Sequence, residues 1–444
     1  MENEVSFVVG VRSAVFLPFN QLGLIIVDEE HEPSYKQHDP SPRYHARDSA
    51  IFLATLHKAQ VVLGTATPSM ETYKNVDDGK YGLVELLERY DGAYEPSISF
   101  INMIKAKKQK RLQGNFSTNL VDEIEKSLER KEQVIVFQNR RGYASYISCD
   151  NCGTVPKCPS CSVSLTYHQY NHKLVCHYCG FNQSMYSDCL HCGSTELRQI
   201  GFGTEELEEE LKLLFPSAII QRMDLDTTRS KYSYHRIIEA FEEGEIDILV
   251  GTQMISKGLD FGRVNLVGIL DSDRLIHFPN FRSHERAYQL ITQVSGRSGR
   301  KSKEGQVLIQ TNDPDQSLLH RIKNQDFSSF YRWELTEREH FHYPPFSRII
   351  TITFKHRDKH ISFQAANFYF HEITKTMVNQ KIVGPVEPLI GKIRNQYLHE
   401  ITLKLDKHGI NLPAIKEYLK AVEKMLKSMP AFKGVGVVFD VDPI

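Results

Sequence analysis

All eight cysteines of the 444-residue sequence fall between Cys149 and Cys192, as the pairs Cys149/Cys152, Cys158/Cys161, Cys176/Cys179 and Cys189/Cys192. Nothing else in the chain constrains the fold so tightly. Each pair is a C-x-x-C, and two residues between thiolates let a tight knuckle present both sulfurs to one tetrahedral Zn²⁺. Disulfides are the competing use. The acidic start Met1-Glu2-Asn3-Glu4 reads as neither a secretory nor a transit peptide, so the expected compartment is reducing and the expected partner is metal. Four knuckles pair three ways into two four-cysteine sites. The 14 residues between Cys161 and Cys176 are close to ribbon spacing and favour nesting over the other two pairings. Nested, Cys158, Cys161, Cys176 and Cys179 hold one ion, and Cys149, Cys152, Cys189 and Cys192 hold the other. So short a segment buries too little apolar surface to fold alone, whereas a structural zinc supplies about 10–16 kcal/mol. The ions are therefore expected to be structural. Tyr167, His168, Tyr170, His172, Lys173, His177 and Tyr178 interleave with the cysteines, and either meet single-stranded DNA or a partner protein or form plain surface.

Around this insertion, short apolar runs alternate with turn signals, the βαβ rhythm of a parallel sheet. Strands are expected at Phe7–Val9, Leu24–Val27 and Val61–Leu63, with a helix at Ala46–Lys58. Residues 91–117 are polar and basic, hold one strand at Ile98–Ile101, and read as a connection. Helix Asn119–Arg130 and strand Val134–Phe137 precede the cysteines. After them come helix Glu205–Phe215 capped by Thr204, strand Ala218–Gln221, helix Tyr234–Glu242 and strand Ile246–Val250. Strand Val264–Leu270, helix His284–Val294 and strand Gln306–Gln310 complete this part. Composition changes at Tyr343-Pro344-Pro345, and the order strand, helix, strand, strand, helix, strand from Arg348 onward is a split βαβ. No apolar run approaches membrane-spanning length. A net charge of -1 says nothing about nucleic acid, because basic and acidic residues segregate locally: Lys105 to Arg111 is basic and Glu205 to Glu210 acidic. Each such run is more often a solvated face than a site.

Strand Leu24–Val27 delivers Asp28, Glu29, Glu30 and His31 to the C-terminal edge of a sheet, where open α/β sheets bind ligands. There one carboxylate can hold Mg²⁺ and a second can orient or deprotonate a water. The plain alternative is the acidic first turn of a helix. Gly64-Thr65-Ala66-Thr67-Pro68-Ser69 follows the next strand and suits a loop that hydrogen-bonds its neighbours. Gly251-Thr252-Gln253-Met254-Ile255-Ser256-Lys257-Gly258 puts a Gly-Thr turn at a strand's end with a lysine able to meet phosphate, a weak signal alone. Gln293-Val294-Ser295-Gly296-Arg297-Ser298-Gly299-Arg300 is sharper. Its arginines stand among glycines, and guanidinium groups so placed suit a transferring phosphoryl group, where they are worth about 10³–10⁵ in rate. Attraction of cations to a helix C-terminus does not explain the glycines.

DEEH, GTATPS, GTQMISKG and QVSGRSGR, in this order and spacing, resemble motifs II, III, V and VI of superfamily 2 helicases. With the cysteine insertion and the tail Asp440-Val441-Asp442-Pro443, the chain resembles the primosomal replication-restart helicases, whose cysteines nest in the same way. The resemblance implies an α/β fold: an incomplete first RecA-like lobe (1–92), then a connection and the start of the second lobe (93–148). A two-zinc insertion (149–200), the rest of the second lobe (201–340) and a C-terminal α+β split-βαβ domain (341–444) follow. It makes Asp28 the Mg²⁺ ligand and Glu29 the base that activates water. His31, Thr65 and Thr67 link nucleotide state to lobe motion, with Glu30, Gly251 and Gln293 in the same nucleotide and coupling set. Arg297 and Arg300 reach the γ-phosphate. Tyr35, Lys36, Arg43, Tyr44, His45 and Arg47 fall where the family has an aromatic-rich loop coupling DNA to ATP. Arg12, Arg140, Arg141 and Lys257 are further DNA contacts by the same resemblance. Rings interleaved with cations offer stacking worth about 1–3 kcal/mol per base; packing between lobes is the alternative. Val11 departs from the Thr usual there.

The implied activity is ATP-driven 3′→5′ unwinding of forked and single-stranded DNA in replication restart, with Mg²⁺–ATP and two structural Zn²⁺. The implied protein is bacterial, cytoplasmic and nucleoid-associated, a monomer with no membrane association. Its implied partners are primosome proteins, a loader of the replicative helicase and single-stranded-DNA-binding protein. No phosphate loop G-x-x-x-x-G-K-[ST] occurs in the sequence. The family carries it upstream of the segment resembling Val9–Ala14, so the expectation is the C-terminal part of a split or truncated gene, with apolar faces and a sheet edge exposed in the first lobe. The alternative is an ATPase-inactive module that holds DNA or primosome proteins. A zinc-ribbon RNA-processing role would leave the acidic and arginine motifs idle.

Overall fold

The computed structural model describes residues 5–86, 88, 95–138, 146–168, 171–200, 207–224, 231–255, 261–299, 305–378, 380–407 and 410–444. The chain divides into two compact units, 1–83 with 342–382 and 400–444, and 84–341 with 383–399.

The first unit begins with β1 (Leu24–Val27), α1 (Ala46–His57), β2 (Gln60–Leu63) and α2 (Met70–Asp77). β1 and β2 run parallel with Val27 opposite Leu63, so Asp28 and Gly64 leave the same sheet edge together. α1 buries Ala46, Ala50 and Ala54, one face at i, i+4 spacing, and ends where Lys58 turns left-handed. α2 starts at Ser69, whose hydroxyl accepts the Thr72 N–H as an N-cap. The expected strand Phe7–Val9 is irregular, with Phe7 75% exposed. A strand exists through its ladder, and no described strand lies beside this one. Among the described strands β1 and β2 pair only with each other, leaving Leu24, Ile26 and Val62 exposed.

The second unit opens with β3 (Ser97–Asn102), α3 (Met103–Lys108), a hairpin of β4 (Leu112–Gln113) and β5 (Phe116–Ser117), α4 (Thr118–Glu129) and β6 (Gln133–Gln138). The cysteine insertion carries β7 (Tyr146–Cys149), β8 (Thr166–His168), β9 (Lys173–Val175), β10 (Asn182–Ser184) and β11 (Leu197–Ile200). Then follow α5 (Leu207–Leu214), β12 (Ile220–Met223), α6 (Lys231–Glu243), β13 (Ile248–Gly251) and β14 (Val264–Leu270). α7 (Ser272–Ile276), α8 (Ser283–Ser295), β15 (Gln306–Thr311), α9 (Ser317–Lys323) and α10 (Phe327–His340) close the unit. The main sheet is parallel, in the order β12-β13-β6-β14-β15-β3. Every residue of the central β6 is buried, as its unbroken apolar run requires. The strand at Ile98–Ile101 is no part of a free connection. It is the sheet's edge, paired along its length with β15 and burying Ile98. Thr204 lies outside the described residues, where α5 begins at Leu207. α9 and α10 were not expected from the sequence, because the polar faces of Ser317–His340 hide the buried stripe Leu318, Leu319, Ile322, Phe330 and Tyr331.

The C-terminal part holds β16 (Ser347–His356), α11 (Lys359–Thr376), β17 (Lys381–Val386), the short β18 (Lys392–Ile393), β19 (Gln396–Asp406), α12 (Leu412–Ser428) and β20 (Gly436–Val441). The sheet order β17-β19-β16-β20, with β16 and β20 antiparallel, is that of the expected split βαβ. Tyr369, Ile373, Leu419 and Leu426 of its helices pack on Ile352, Phe354 and Leu403 of its strands. The whole is α/β: a parallel sheet with helices, a cysteine-rich insertion and a C-terminal antiparallel-sheet domain. No helix among the described residues is long and apolar enough to cross a membrane.

Candidate functional site

The acidic cluster and the threonine loop meet because β1 and β2 end side by side. The Gly64 N–H donates to the Val27 carbonyl and the Glu30 N–H to the Gly64 carbonyl. Glu30 is fully buried, and its carboxylate accepts from the Ser69 N–H (2.7 Å), the Thr72 hydroxyl (2.8 Å) and Arg47 Nη1 (2.8 Å). A buried carboxylate is tolerated because donors satisfy it on several sides. Burial alone would lower the Arg47 pKa; Asp48 and Glu30 outweigh it and hold the guanidinium above its ordinary range. His31 Nδ1 lies 2.7 Å from the Thr65 hydroxyl, and Thr65 Oγ1 accepts the Thr67 N–H at 3.0 Å. Glu29 adopts a left-handed backbone (φ 47), while its N–H donates to Asp28 Oδ1. Left-handed backbone at a non-glycine residue is uncommon and concentrates at functional sites. Asp28 remains exposed.

The loop after His31 is tied down at both ends. The Tyr35 hydroxyl donates to the Asp28 carbonyl at 2.6 Å, and burial together with nearby carboxylates raises its pKa. Arg12 Nη1 donates to the Ser34 and Lys36 carbonyls. Lys36 is 2% exposed and paired with Asp440 at 2.9 Å; it also donates to the Val441 carbonyl. Arg43 meets the same Asp440 at 3.3 Å. Tyr44 stands edge-on to Phe16 with centroids 4.6 Å apart, and His45 is the N-cap position of α1. In this structure Lys36 and Arg47 are therefore internal ion-pair partners rather than solvent-facing cations. Thr72 was missed as a site residue, and Ser69 and Asp440 stand in the threonine loop and the C-terminal tail without an assigned role. For Ser69 and Thr72 the signal was present, a hydroxyl before a helix start; for Asp440 none was, since its partners lie about four hundred residues away.

In the second unit Gly251 ends β13, and a Cβ there would fall 2.9 Å from the Met223 carbonyl oxygen, so only glycine fits. Gln293 lies on α8, Gly296 follows it as the C-cap, and Arg297 is 7% exposed in the next turn. Arg140, Arg141, Lys257 and Arg300 lie outside the described residues, as does Tyr170.

The eight cysteines form the nested pair of clusters. Within each, the sulfurs lie within 4.8 Å of one another. Cys149 Sγ is 3.6 Å from Cys192 Sγ, Cys152 Sγ 3.7 Å from Cys189 Sγ, and Cys158 Sγ 3.6 Å from Cys179 Sγ. A tetrahedral ion with bonds of about 2.3 Å sets sulfurs about 3.8 Å apart, so both clusters fit zinc. No cysteine is in a disulfide. The nesting follows from β7 and β11, whose antiparallel stem places Cys149 opposite Leu197 and brings the ends of the insertion together. The Ser194 N–H and the Asn151 side chain lower the Cys192 thiol to about 6, whereas burial pushes Cys149 of the same cluster up to about 12. The basic run also finds its use here. Lys107 pairs with Asp150 at 2.7 Å, and Lys108 donates to Asn151 Oδ1 at 2.6 Å, pinning the first knuckle to α3. Tyr178 of an inner knuckle packs edge-on against Phe281, and burial pushes its hydroxyl up to about 12. His168 and His177 touch each other.

Comparison with known proteins accounts for the same regions. The primosomal protein N C-terminal domain matches residues 339–444, the PriA DNA helicase Cys-rich region domain residues 158–183, and the helicase conserved C-terminal domain residues 202–302. The Bacillus subtilis "Replication restart protein PriA" is 40% identical over 444 residues, covering 99% of this chain and 54% of that protein. The Chlamydia pneumoniae protein of the same name is 39% identical, covering 100% and 59%. That of Rickettsia conorii is 38% identical over 450 residues, covering 100% and 67%. The chain thus spans between about half and two thirds of the length of these curated relatives. It belongs to the PriA family of replication restart proteins.

Proposed function

We propose that the chain works in an ATP-dependent 3′→5′ DNA helicase of replication restart, engaging forked and single-stranded DNA and initiating primosome assembly. One observation carries this: Glu30 and His31 bind the threonine loop and the helix after it into a single hydrogen-bonded network beside an exposed Asp28. Such a network links a nucleotide site to moving parts. In this reading Asp28 holds Mg²⁺–ATP, Glu29 activates the water, and Arg297 and Arg300 neutralise charge on the transferring phosphoryl group. Tyr35, Arg12 and Arg43, with Arg140, Arg141 and Lys257, face DNA. Primosome proteins, a helicase loader and single-stranded-DNA-binding protein are the proposed partners of a cytoplasmic monomer. The test is ATP hydrolysis stimulated by forked DNA, with a relative's phosphate-loop segment joined to the chain. Glu29→Gln is expected to abolish stimulated turnover while leaving DNA binding intact; turnover that persists removes Glu29 from its role.

A second reading follows from the sequence, which contains no G-x-x-x-x-G-K-[ST]. By itself the chain then binds forked DNA in a salt-sensitive way without hydrolysing ATP. Both measurements on the unaltered chain separate the two.

A further inference from the structure

The parallel sheet of the second unit reverses its winding between β6 and β14. From β6 the chain passes outward to β12 and β13; from β14 it passes outward the other way to β15. In open α/β sheets that reversal opens a crevice at the carboxyl ends of the two strands, and ligands bind there. A cavity of about 330 Å³ occupies this place, at the lower end of ligand-cleft sizes. Gln138, the last residue of β6, and Asp271, the first after β14, both line it. Asp271 is held left-handed (φ 54), an uncommon conformation for a non-glycine residue. Gln138 is 9% exposed, and its carboxamide makes no hydrogen bond among the described residues. No residue assigned above to ATP, DNA or zinc lines the cavity.

The chemistry of the lining selects the ligand. Its cations are already engaged, Lys107 and Arg198 on Asp150 and Arg274 on Asp271 at 3.4 Å. Cations neutralised in this way offer little to a free phosphate. What remains is a donor-and-acceptor carboxamide at Gln138, a second at the exposed Gln199, the carboxylate acceptor of Asp271, and apolar walls from Met103, Ile104 and Leu270. Carboxamides pair in two places with the edge of adenine, carboxylates accept from the amino group of cytosine, and apolar walls cover the ring faces. Thymine presents two carbonyls and no amino group, so the Asp271 carboxylate disfavours it.

We infer that this cavity takes one unstacked base that carries an exocyclic amino group (cytosine, adenine or guanine, as against thymine) from single-stranded DNA. The inference rests on the DNA-binding reading above and adds a base-selective subsite to it. Asp271→Asn keeps both shape and left-handed tolerance, and Gln138→Leu keeps volume. The measurement is fluorescence anisotropy of the zinc-loaded full chain with dC, dA and dT homopolymers of about 16 nucleotides, a length one single-strand-binding module spans. The wild-type chain is expected to bind dC and dA at least about fivefold more tightly than dT, the low end of discrimination by a paired base edge. Asp271→Asn brings dC to within about twofold of dT, Gln138→Leu does the same for dA, and each leaves dT affinity unchanged. Uniform affinity in the wild-type chain, a preference that survives both variants, or an equal loss for all three oligomers overturns the subsite alone. Failure of every oligomer to bind overturns the DNA-binding reading as well.

Discussion

Two parallel sheets in this molecule are ordered by opposite means. In the second unit β6 buries all six of its residues, and Phe116, Leu120, Ile124 and Leu266 pack against its Val134 and Val136. In the first unit β1 and β2 bury little beyond Val27, and what fixes their ends is polar: Glu30 with its donors and His31 with Thr65. An apolar core stabilises through contact area and tolerates rearrangement at its edges. A buried polar network depends on every partner, since one orphaned group costs more than the bond it made. The sheet with the smaller core is therefore the one whose geometry is most sensitive to single atoms.

Four substitutions or treatments sharpen that contrast. The largest effect is expected in a third region, the cysteine insertion, whose small apolar cluster is built around the cysteines themselves. Stripping zinc removes about 10–16 kcal/mol per structural site, so a chelator should abolish hydrogen-exchange protection across 149–200; unchanged protection there would show that the clusters are not metal sites. Next comes Phe137→Ala, which empties a fully buried site in β6. It is expected to cost about 3–5 kcal/mol in urea denaturation, and a loss under about 1 kcal/mol would deny the apolar account of this sheet. Glu30→Gln should cost about 1–3 kcal/mol by leaving Arg47 facing an amide. Hydrogen exchange in α1 and α2 reads it, and unaltered exchange would mean that the network orders nothing. The smallest effect is Ile26→Ser, on a side chain 62% exposed. Stability should stay within about 0.5 kcal/mol while light scattering shows less self-association, and a large destabilisation would reveal burial that this face does not have.

The same contrast explains what the sequence disclosed. Val134–Phe137 and Leu266–Leu270 are legible as strands because unbroken apolar runs leave a parallel-sheet strand no other home. The nested cysteines were legible because knuckle spacing is local. Phe7–Val9 has the same composition and no strand, since pairing is a property of the neighbour and not of the run. Ile98–Ile101 was visible as a strand while its place was not, because its partner β15 lies about two hundred residues on. The ties of Lys36 and Arg43 to Asp440 were invisible for that reason too: charge shows in a sequence, and the opposite charge that meets it does not.

Under the proposed DNA-binding role, Arg43 has a consequence for how this loop would meet a polyanion. A lysine or arginine bathed in solvent near DNA displaces condensed counterions when it docks on a phosphate, and their release drives binding. Arg43 already sits on the Asp440 carboxylate, so a phosphate arriving there exchanges with Asp440 and sets fewer ions free, while Lys36, 2% exposed, stays inside on the same carboxylate. Through this loop the logarithm of affinity should fall with the logarithm of salt by less than about 0.7 per cation engaged, and Asp440→Asn should restore the missing slope.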